Sequence, residues 1–211
     1  MLPGPVRNLG VLLDPELSFK DHVAKLSQTC FFQLRRLRAI RHSLNRKTIL
    51  TLVHAFVCSR IDFCNGALFG ISGYLVDRIQ AILNATARLV LKIPKYDHIS
   101  AAIRDDLHWL PVEKRIMFKT CLMVRASLTG MAPSYLQELC VPVARCPGRS
   151  QLRSSDRVDL IVPRFKTTRF GRRGFSVAGP QSWNTLPIPI RQLYGQPEQF
   201  KRALKTHLFR Q

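Results

Sequence analysis

Arginine, lysine and phenylalanine alternate between residues 164 and 173, and these side chains together suit the binding of nucleic acid. Arginine presents a planar fork of donors that grips a phosphate through two hydrogen bonds, and aromatic rings offer faces on which bases stack. The stretch predicts a site for RNA or single-stranded DNA, made by Arg164, Lys166, Arg169, Phe170, Arg172 and Arg173. The alternative is that the phenylalanines only pack the loop down.

A second group of cations lies near the end of a predicted helix over residues 18–44. Ser18 is placed to cap this helix, and apolar residues recur along it at steps of three and four. The cations occupy its remaining faces near the C-terminus, where they also complement the helix dipole. We predict that they contact nucleic acid as well: Arg35, Arg36, Arg38 and Arg41.

The balance of charge over the 211 residues agrees with these two sites. Lysine and arginine number 33 against 13 aspartates and glutamates, which gives a net charge of +20 at pH 7. Such an excess is more than solubility needs, and it predicts a polyanionic partner. A basic surface that is merely solvated is the alternative. A hydrophobic content of 46% excludes a chain that is disordered throughout.

The residues that usually carry catalysis or bind metal are scattered along the chain. The six histidines fall on separate predicted elements, so no Ser-His-Asp or Cys-His arrangement can be proposed. The six cysteines form no Cys-x-x-Cys pair, and most lie in apolar helical patterns, which predicts buried free thiols. The spacing of Cys140, Cys146 and His108 does not match that of zinc ligands. We therefore expect no metal and no cofactor.

Helices must position these residues, and the predicted fold is mainly α. Residues 48–69 form the longest apolar run and predict a helix packed on more than one side, with Asp62 near a basic group such as Arg88. Arg60 and Asp62 make a membrane span of this run costly, so we expect no membrane association. The run should form a bundle with the predicted helices over residues 18–44 and 74–93. Further helices are predicted over residues 99–107, 111–128, 135–139 and 197–209.

The two ends of the chain depart from this helical plan. Residues 6–13 predict a lone strand, which would pair either far away or with protein that is missing here. Beyond residue 141 the composition changes to proline, glycine, serine and arginine, with strand-like runs only at 158–165 and 175–178. The predicted domains are a strand and linker over 1–17, a helical bundle over 18–140, and over 141–211 a basic, irregular Pro/Gly-rich module with short strands that ends in a helix. The first residues show no signal peptide, so an intracellular location, nuclear or cytoplasmic, is expected.

Several blocks of the sequence resemble, in the right order, successive signatures of one protein family: 6–14 (VRNLGVLLD), 17–19 (LSF) with 21–22 (DH), 59–65 (SRIDFCN), 107–112 (LHWLPV), 130–136 (GMAPSYL) and 179–187 (GPQSWNTLP). The family is that of the non-LTR (LINE-class, jockey-like) retrotransposon reverse transcriptases, which are RNA-directed DNA polymerases. The resemblance covers essentially the whole chain. No single block would suffice for it.

The resemblance implies that residues 1–17 are the edge of a catalytic palm and that residues 18–140 correspond to the thumb. It also implies that the Tyr-x-Asp-Asp strand, the other metal-binding aspartate and the endonuclease lie upstream of the residues present here. The adjacent pair Asp105 and Asp106 lies in a helical context, unlike the strand-turn-strand setting of the family's two-metal phosphoryl transfer. We therefore expect a non-catalytic, nucleic-acid-binding fragment, with no catalytic residues of its own.

Two other functions stay open at this point. One is a protein-interaction or scaffold module recruited from a retroelement. In that case the N-terminal strand would mediate self-association or binding to a reverse-transcriptase palm. The other is a relic with no selected function.

Overall fold

The computed structural model describes residues 4–145, 157–167 and 170–211. Helices make up most of these residues, and the paired strands among them form a two-stranded antiparallel sheet. The prediction of a mainly α fold is confirmed. The chain forms two compact units, Met1–Arg115 and Ile116–Gln211. Their bounds differ from those of the predicted domains 18–140 and 141–211, which stay a prediction.

The helices follow one another through short loops. Those that precede the unit boundary are α1 (Lys20–Ala39), α2 (Arg46–Val53), α3 (Ser59–Asp62), α4 (Gly73–Leu91) and α5 (Ser100–Asp105). The boundary falls within α6 (Val112–Leu128). The helices that follow are α7 (Ser134–Gln137), α8 (Phe175–Asn184), α9 (Ile188–Gln192) and α10 (Pro197–Arg210).

The N-terminal residues form a hairpin, so the prediction of a lone strand over residues 6–13 was wrong. β1 (Val6–Asn8) pairs with β2 (Val11–Leu13) in antiparallel register. The two residues between the strands, Leu9 and Gly10, have φ angles of 46° and 88°, as the tight turn of a two-residue hairpin requires. Such turns are recognised in a sequence by Asn-Gly or Asp-Gly at these two positions. Here the first position is leucine, which rarely adopts a positive φ, so no hairpin signal is present in the sequence.

α1 buries one stripe of side chains at steps of three and four, as predicted. The helix begins at Lys20 and its N-cap residue is Phe19, so the prediction that Ser18 caps it was wrong. The carboxylate of Asp14 accepts the backbone N–H groups of Ser18 and Phe19, at 2.9 and 2.8 Å. Burial raises the pKa of Asp14, but these hydrogen bonds outweigh that effect and the pKa is lowered. The helix ends at Ala39, earlier than predicted. Its buried residues include Val23, Leu26, Cys30, Leu34 and Leu37.

The central apolar run is interrupted, and it buries one stripe instead of several sides. α2 continues into a π-helical turn at His54–Cys58 and then into α3, and Cys64 has a left-handed conformation at φ 50°. Phe56 and Phe63 are 42% and 51% exposed, so the prediction of burial on more than one side was wrong. Most of its buried apolar side chains recur every four residues, at Ile49, Val53, Val57 and Ile61.

The second unit has a helix where a strand-like run was predicted. Residues 175–178 belong to α8. The strand prediction failed here because a run of four residues is too short to distinguish a period of two from one of 3.6. Gly179 allows α8 to approach α6 closely, since a Cβ at that position would lie 3.0 Å from Val124 Cγ2. The other strand-like run, 158–165, forms one antiparallel bridge between Leu160 and Pro142.

The last helix packs into the core of the second unit. Phe200, Leu204 and Leu208 are its buried side chains, as the sequence predicted. The ring of Phe200 stacks on the fully buried Trp183, with 5.5 Å between ring centroids and 24° between ring planes. The Trp183 indole N–H donates to the carbonyl of Val158 at 2.8 Å.

Candidate nucleic-acid interface

Three of the four arginines that were predicted near the end of the first helix lie on α1 and point outward from it. The helical period places Leu34 and Leu37 in the core, at 2% and 5% exposure, and leaves Arg35, Arg36 and Arg38 exposed between and beside them. None of the three has a carboxylate within ion-pair distance in the part of the chain that the structure describes. We call Arg35, Arg36 and Arg38 the α1 basic face. Its charges are not neutralised by these described residues, so they are available to an external anion.

Arg41, the fourth arginine of this group, is half-buried and binds within the fold. Its guanidinium donates to the backbone carbonyls of Leu44, Leu89 and Val90, at 2.8, 2.9 and 3.0 Å. Two of these carbonyls belong to the last turn of α4, where carbonyl groups lack partners within the helix. The geometry gives Arg41 a structural role, and its contact with nucleic acid stays a prediction.

Two phenylalanines that sequence reasoning did not select lie beside the α1 basic face. Phe31 and Phe32 are 39% and 49% exposed. The guanidinium carbon of Arg36 lies 5.8 Å from the centroid of the Phe32 ring, within the range of a cation–π contact. The signal was present in the sequence, because Phe31 and Phe32 do not fit the buried stripe at 23, 26, 30, 34 and 37.

The predicted site of the second unit lies on a loop and a single 3-10 turn. Arg164, Lys166, Phe170 and Arg172 are exposed, Arg173 is half-buried, and Arg169 lies outside the described residues. Gly171 makes the tight return possible, since a Cβ there would lie 3.0 Å from Phe165 Cβ, and its N–H donates to Thr167 Oγ1 at 3.0 Å. Asp159, the acidic residue nearest in sequence among those described, pairs with the buried Arg191 instead. The turn thus gathers cations, and their contact with nucleic acid stays a prediction.

Asp62 pairs with Arg115, not with Arg88 as predicted. Arg115 Nη1 lies 2.7 Å from Asp62 Oδ2, and Arg115 Nε donates to the carbonyl of Leu110 at 2.9 Å. Arg88 instead donates to backbone carbonyls after the end of α4. The partner is 53 residues away along the chain, so helical periodicity could not identify it.

Around this ion pair lies a cluster of polar and aromatic side chains. The Arg115 guanidinium carbon is 6.0 Å from the Trp109 ring centroid, and His54 meets Trp109 edge-on at 5.4 Å. Burial lowers the pKa of His54, the charge of Arg115 lowers it further, and the carboxylate of Asp62 opposes both. At neutral pH a lowered pKa favours the neutral imidazole. The cluster links α3, the π-helical turn and the start of α6.

Replacing Asp62 by alanine is expected to lower the free energy of unfolding by about 1–2 kcal/mol. The Arg115 side chain is 12% exposed and would lose its counter-charge, while Asp62 is 45% exposed, so the cost lies between those of exposed and buried pairs. Urea denaturation measures it. Asp77→Ala, at an exposed acid on α4, is the matched control and should cost less than about 0.5 kcal/mol. Equal losses for the two variants would show that the pair with Arg115 contributes nothing.

The remaining candidates for chemistry are engaged or buried. Asp105 accepts two hydrogen bonds from Arg104, which lower its pKa. Burial raises the pKa of Cys30 and Cys58 to about 11 and that of Cys121 to about 12, which makes these thiols poor nucleophiles. Cys140 is also buried, as predicted, whereas Cys64 is exposed, contrary to the prediction. Cys146 lies outside the described residues.

Within 4–145, 157–167 and 170–211, no three side chains of His, Cys, Asp or Glu gather in a way that could hold a metal ion. Over the same residues, every helix is too short or too polar to span a bilayer.

The chain is similar to part of a transposon polymerase. It is 29% identical over 122 residues to a protein of Drosophila melanogaster described as a probable RNA-directed DNA polymerase from transposon BS. The match covers 54% of this chain and 13% of the length of that protein. No family model matches the chain, and no solved structure does. The similarity supports an origin from a retrotransposon reverse transcriptase.

Proposed function

We propose that this chain is a nucleic-acid-binding, non-catalytic part of a LINE-class reverse transcriptase, corresponding to the thumb and the region that follows it. The order of the sequence blocks supports the LINE class and the thumb assignment, and the similarity to a transposon polymerase supports the wider family. The proposed ligand is RNA or single-stranded DNA. It would be bound through its phosphates without sequence preference.

The observation that carries this proposal is the α1 basic face. Three exposed guanidinium groups lie within four residues of one helix, and no described carboxylate neutralises them. Arg35 and Arg38, which are three residues apart, repel one another, so this pair gains stability when an anion binds. Arginine suits a phosphate better than lysine does, because its planar fork donates two parallel hydrogen bonds.

The exposed cations of the second unit are a further contribution to the same function. Arg164, Lys166 and Arg172 also lack an ion-pair partner in the described segments. Phe165 and Phe170, exposed at 38% and 45%, lie in the same loop and turn. We propose that this surface binds the backbone of a single strand separately from the α1 basic face.

The proposal that the chain is non-catalytic depends on the resemblance. The sequence contains no Tyr-x-Asp-Asp block, and its adjacent pair Asp105 and Asp106 lies at the end of α5. Asp105 is bound to Arg104 there. We therefore expect the purified chain to extend no primer on an RNA template with Mg²⁺ or Mn²⁺.

Binding to a labelled single-stranded RNA, measured by fluorescence anisotropy as salt is varied, tests the proposed function. Each phosphate contact with a single strand should contribute about −0.7 to the slope of log K against log salt. The α1 basic face alone then predicts a slope of about −2, and the second unit should make it steeper. Absence of affinity at about 100 mM salt, or a flat dependence on salt, would contradict the proposal.

A protein-interaction module is the second candidate, and the N-terminal hairpin favours it. Val6 and Leu9 are 63% and 87% exposed, which is unusual for apolar residues of a paired strand and its turn. The outer edge of such a two-stranded sheet has unpaired backbone groups that another strand can bind. If the chain binds no nucleic acid, we propose that this edge binds either a second copy of the chain or a polymerase palm.

A further inference from the structure

The exposed phenylalanines of α1 need an explanation that the basic face alone does not give. Phe31 and Phe32 are consecutive, and both remain substantially exposed on a helix whose inner stripe is buried. Water-exposed aromatic rings forgo the stabilisation that burial of their large apolar surface would bring. A pair of them next to uncompensated cations marks a surface that binds a ligand.

The geometry of the helix interleaves these rings with the arginines. Phe32 and Arg36 are four residues apart and in cation–π contact, and Phe31 and Arg35 have the same spacing. Arg38 continues the second of these two rows. From Phe31 to Arg38 the helix rises about 10 Å, at 1.5 Å per residue.

The chemistry of this surface selects one kind of ligand. A protein partner could cover the rings, but it would also have to bring carboxylates to three arginines within one helical turn. A nucleic-acid strand supplies an anion at every nucleotide, together with a flat base that stacks on an aromatic ring. In a duplex the bases are stacked on one another and their faces are inaccessible to a side chain.

We infer that unpaired bases of a single strand stack on Phe31 and Phe32 while the adjacent phosphates bind Arg35, Arg36 and Arg38. This inference rests on the proposed function and adds a preference to it, for single-stranded over double-stranded nucleic acid. Stacking and phosphate binding contribute to the affinity in different ways. The contribution of stacking acts at contact and is not screened by salt, whereas the contribution of the phosphate contacts falls as salt is added.

The test uses the full chain with Phe31 and Phe32 both replaced by leucine, a residue that keeps a good helix propensity and apolar character. Affinity for a single-stranded 12-residue oligonucleotide is expected to fall about 5- to 150-fold for each base that loses its stacking, with the salt slope unchanged. Affinity for a blunt duplex of the same sequence should not change. The fluorescence of 2-aminopurine in the single strand should be quenched by the wild-type chain and not by the variant.

Tyr96→Leu is the matched control, because Tyr96 is 90% exposed in the same unit and also has a cation, Lys95, 5.5 Å from its ring. It should leave single-strand affinity unchanged. Unchanged circular dichroism and thermal melting of the Phe31/Phe32 variant would show that the fold is intact.

Each outcome of this test decides the inference. If the wild-type chain binds with a steep salt slope and the double variant binds equally well, the stacking site is wrong and the proposed function stands. If the wild-type chain binds no nucleic acid, both are wrong. If the two substitutions abolish self-association in sedimentation experiments and leave single-strand affinity unchanged, the rings are a protein interface and the inference is overturned.

Discussion

Replacing Arg35, Arg36 and Arg38 together by glutamine is expected to flatten the dependence of log K on log salt by about two units. Each arginine that contacts a phosphate of a single strand releases condensed counterions, which contributes about 0.7 to the slope. Glutamine keeps a long, helix-compatible side chain, so the helix should persist. The measurement is a series of anisotropy titrations with labelled single-stranded RNA between about 50 and 300 mM salt.

The control removes the same charge from other exposed positions of the same unit. Arg7, Arg78 and Lys95 are exposed and lie on β1, on α4 and in the loop after α4. Glutamine at these three positions lowers the net charge by the same amount, and the slope should change by less than about one unit if binding is localised to α1. Equal flattening in both variants would mean that the chain binds through its overall charge, and the α1 basic face would have no special role. Arg41 is left unchanged in both, because its carbonyl hydrogen bonds stabilise the end of α4.

Replacing Trp183 by alanine is expected to destabilise the second unit by about 3–5 kcal/mol, the range for a large buried aromatic residue. Trp183 is fully buried, stacks on Phe200, and donates its indole N–H to the carbonyl of Val158. The substitution removes the stacking and the hydrogen bond and leaves a cavity between α8 and α10. Hydrogen exchange followed by mass spectrometry measures it, because peptides from α10 report on this unit.

Two further variants separate the contributions of Trp183. Trp183→Phe keeps an aromatic ring and loses the hydrogen bond, so it should cost less than Trp183→Ala. Tyr194→Ala, at a residue that is 37% exposed, is the control for loss of an aromatic side chain and should cost less than about 1 kcal/mol. If hydrogen exchange in α10 were as slow in Trp183→Ala as in the wild-type chain, Trp183 would not stabilise this core.

The sequence blocks that carry the family resemblance contribute to the folded core more than to the proposed interface. In the block at 59–65, Asp62 pairs with Arg115, and Asn65 is 4% exposed. The block at 179–187 contains Gly179, which lets α8 approach Val124, and the buried Trp183. In the loop of the block at 130–136, the carbonyl of Ala132 accepts a hydrogen bond from Gln137. These blocks therefore report on packing within the fold. The function needs its own test.

Local sequence determined the elements with a strong period. α1, α4, α6 and α10 each repeat apolar residues at steps of three and four, and their approximate positions follow from that period alone. The excess of cations is likewise a property of composition. Which residues face outward on α1 also follows from its period, and Phe31 and Phe32 could have been identified in this way.

Only the tertiary structure decided what each polar or short segment does. Arg38 and Arg41 are equivalent in the sequence, yet one is exposed and the other binds carbonyls of α4, because the chain turns at the end of α1. Asp62 pairs with an arginine 53 residues away, and the hairpin turn needs a leucine at positive φ. Periodicity reports which face of an element is buried. The partner of a charge and the conformation of a turn depend on packing between segments distant in the chain, which local sequence does not encode.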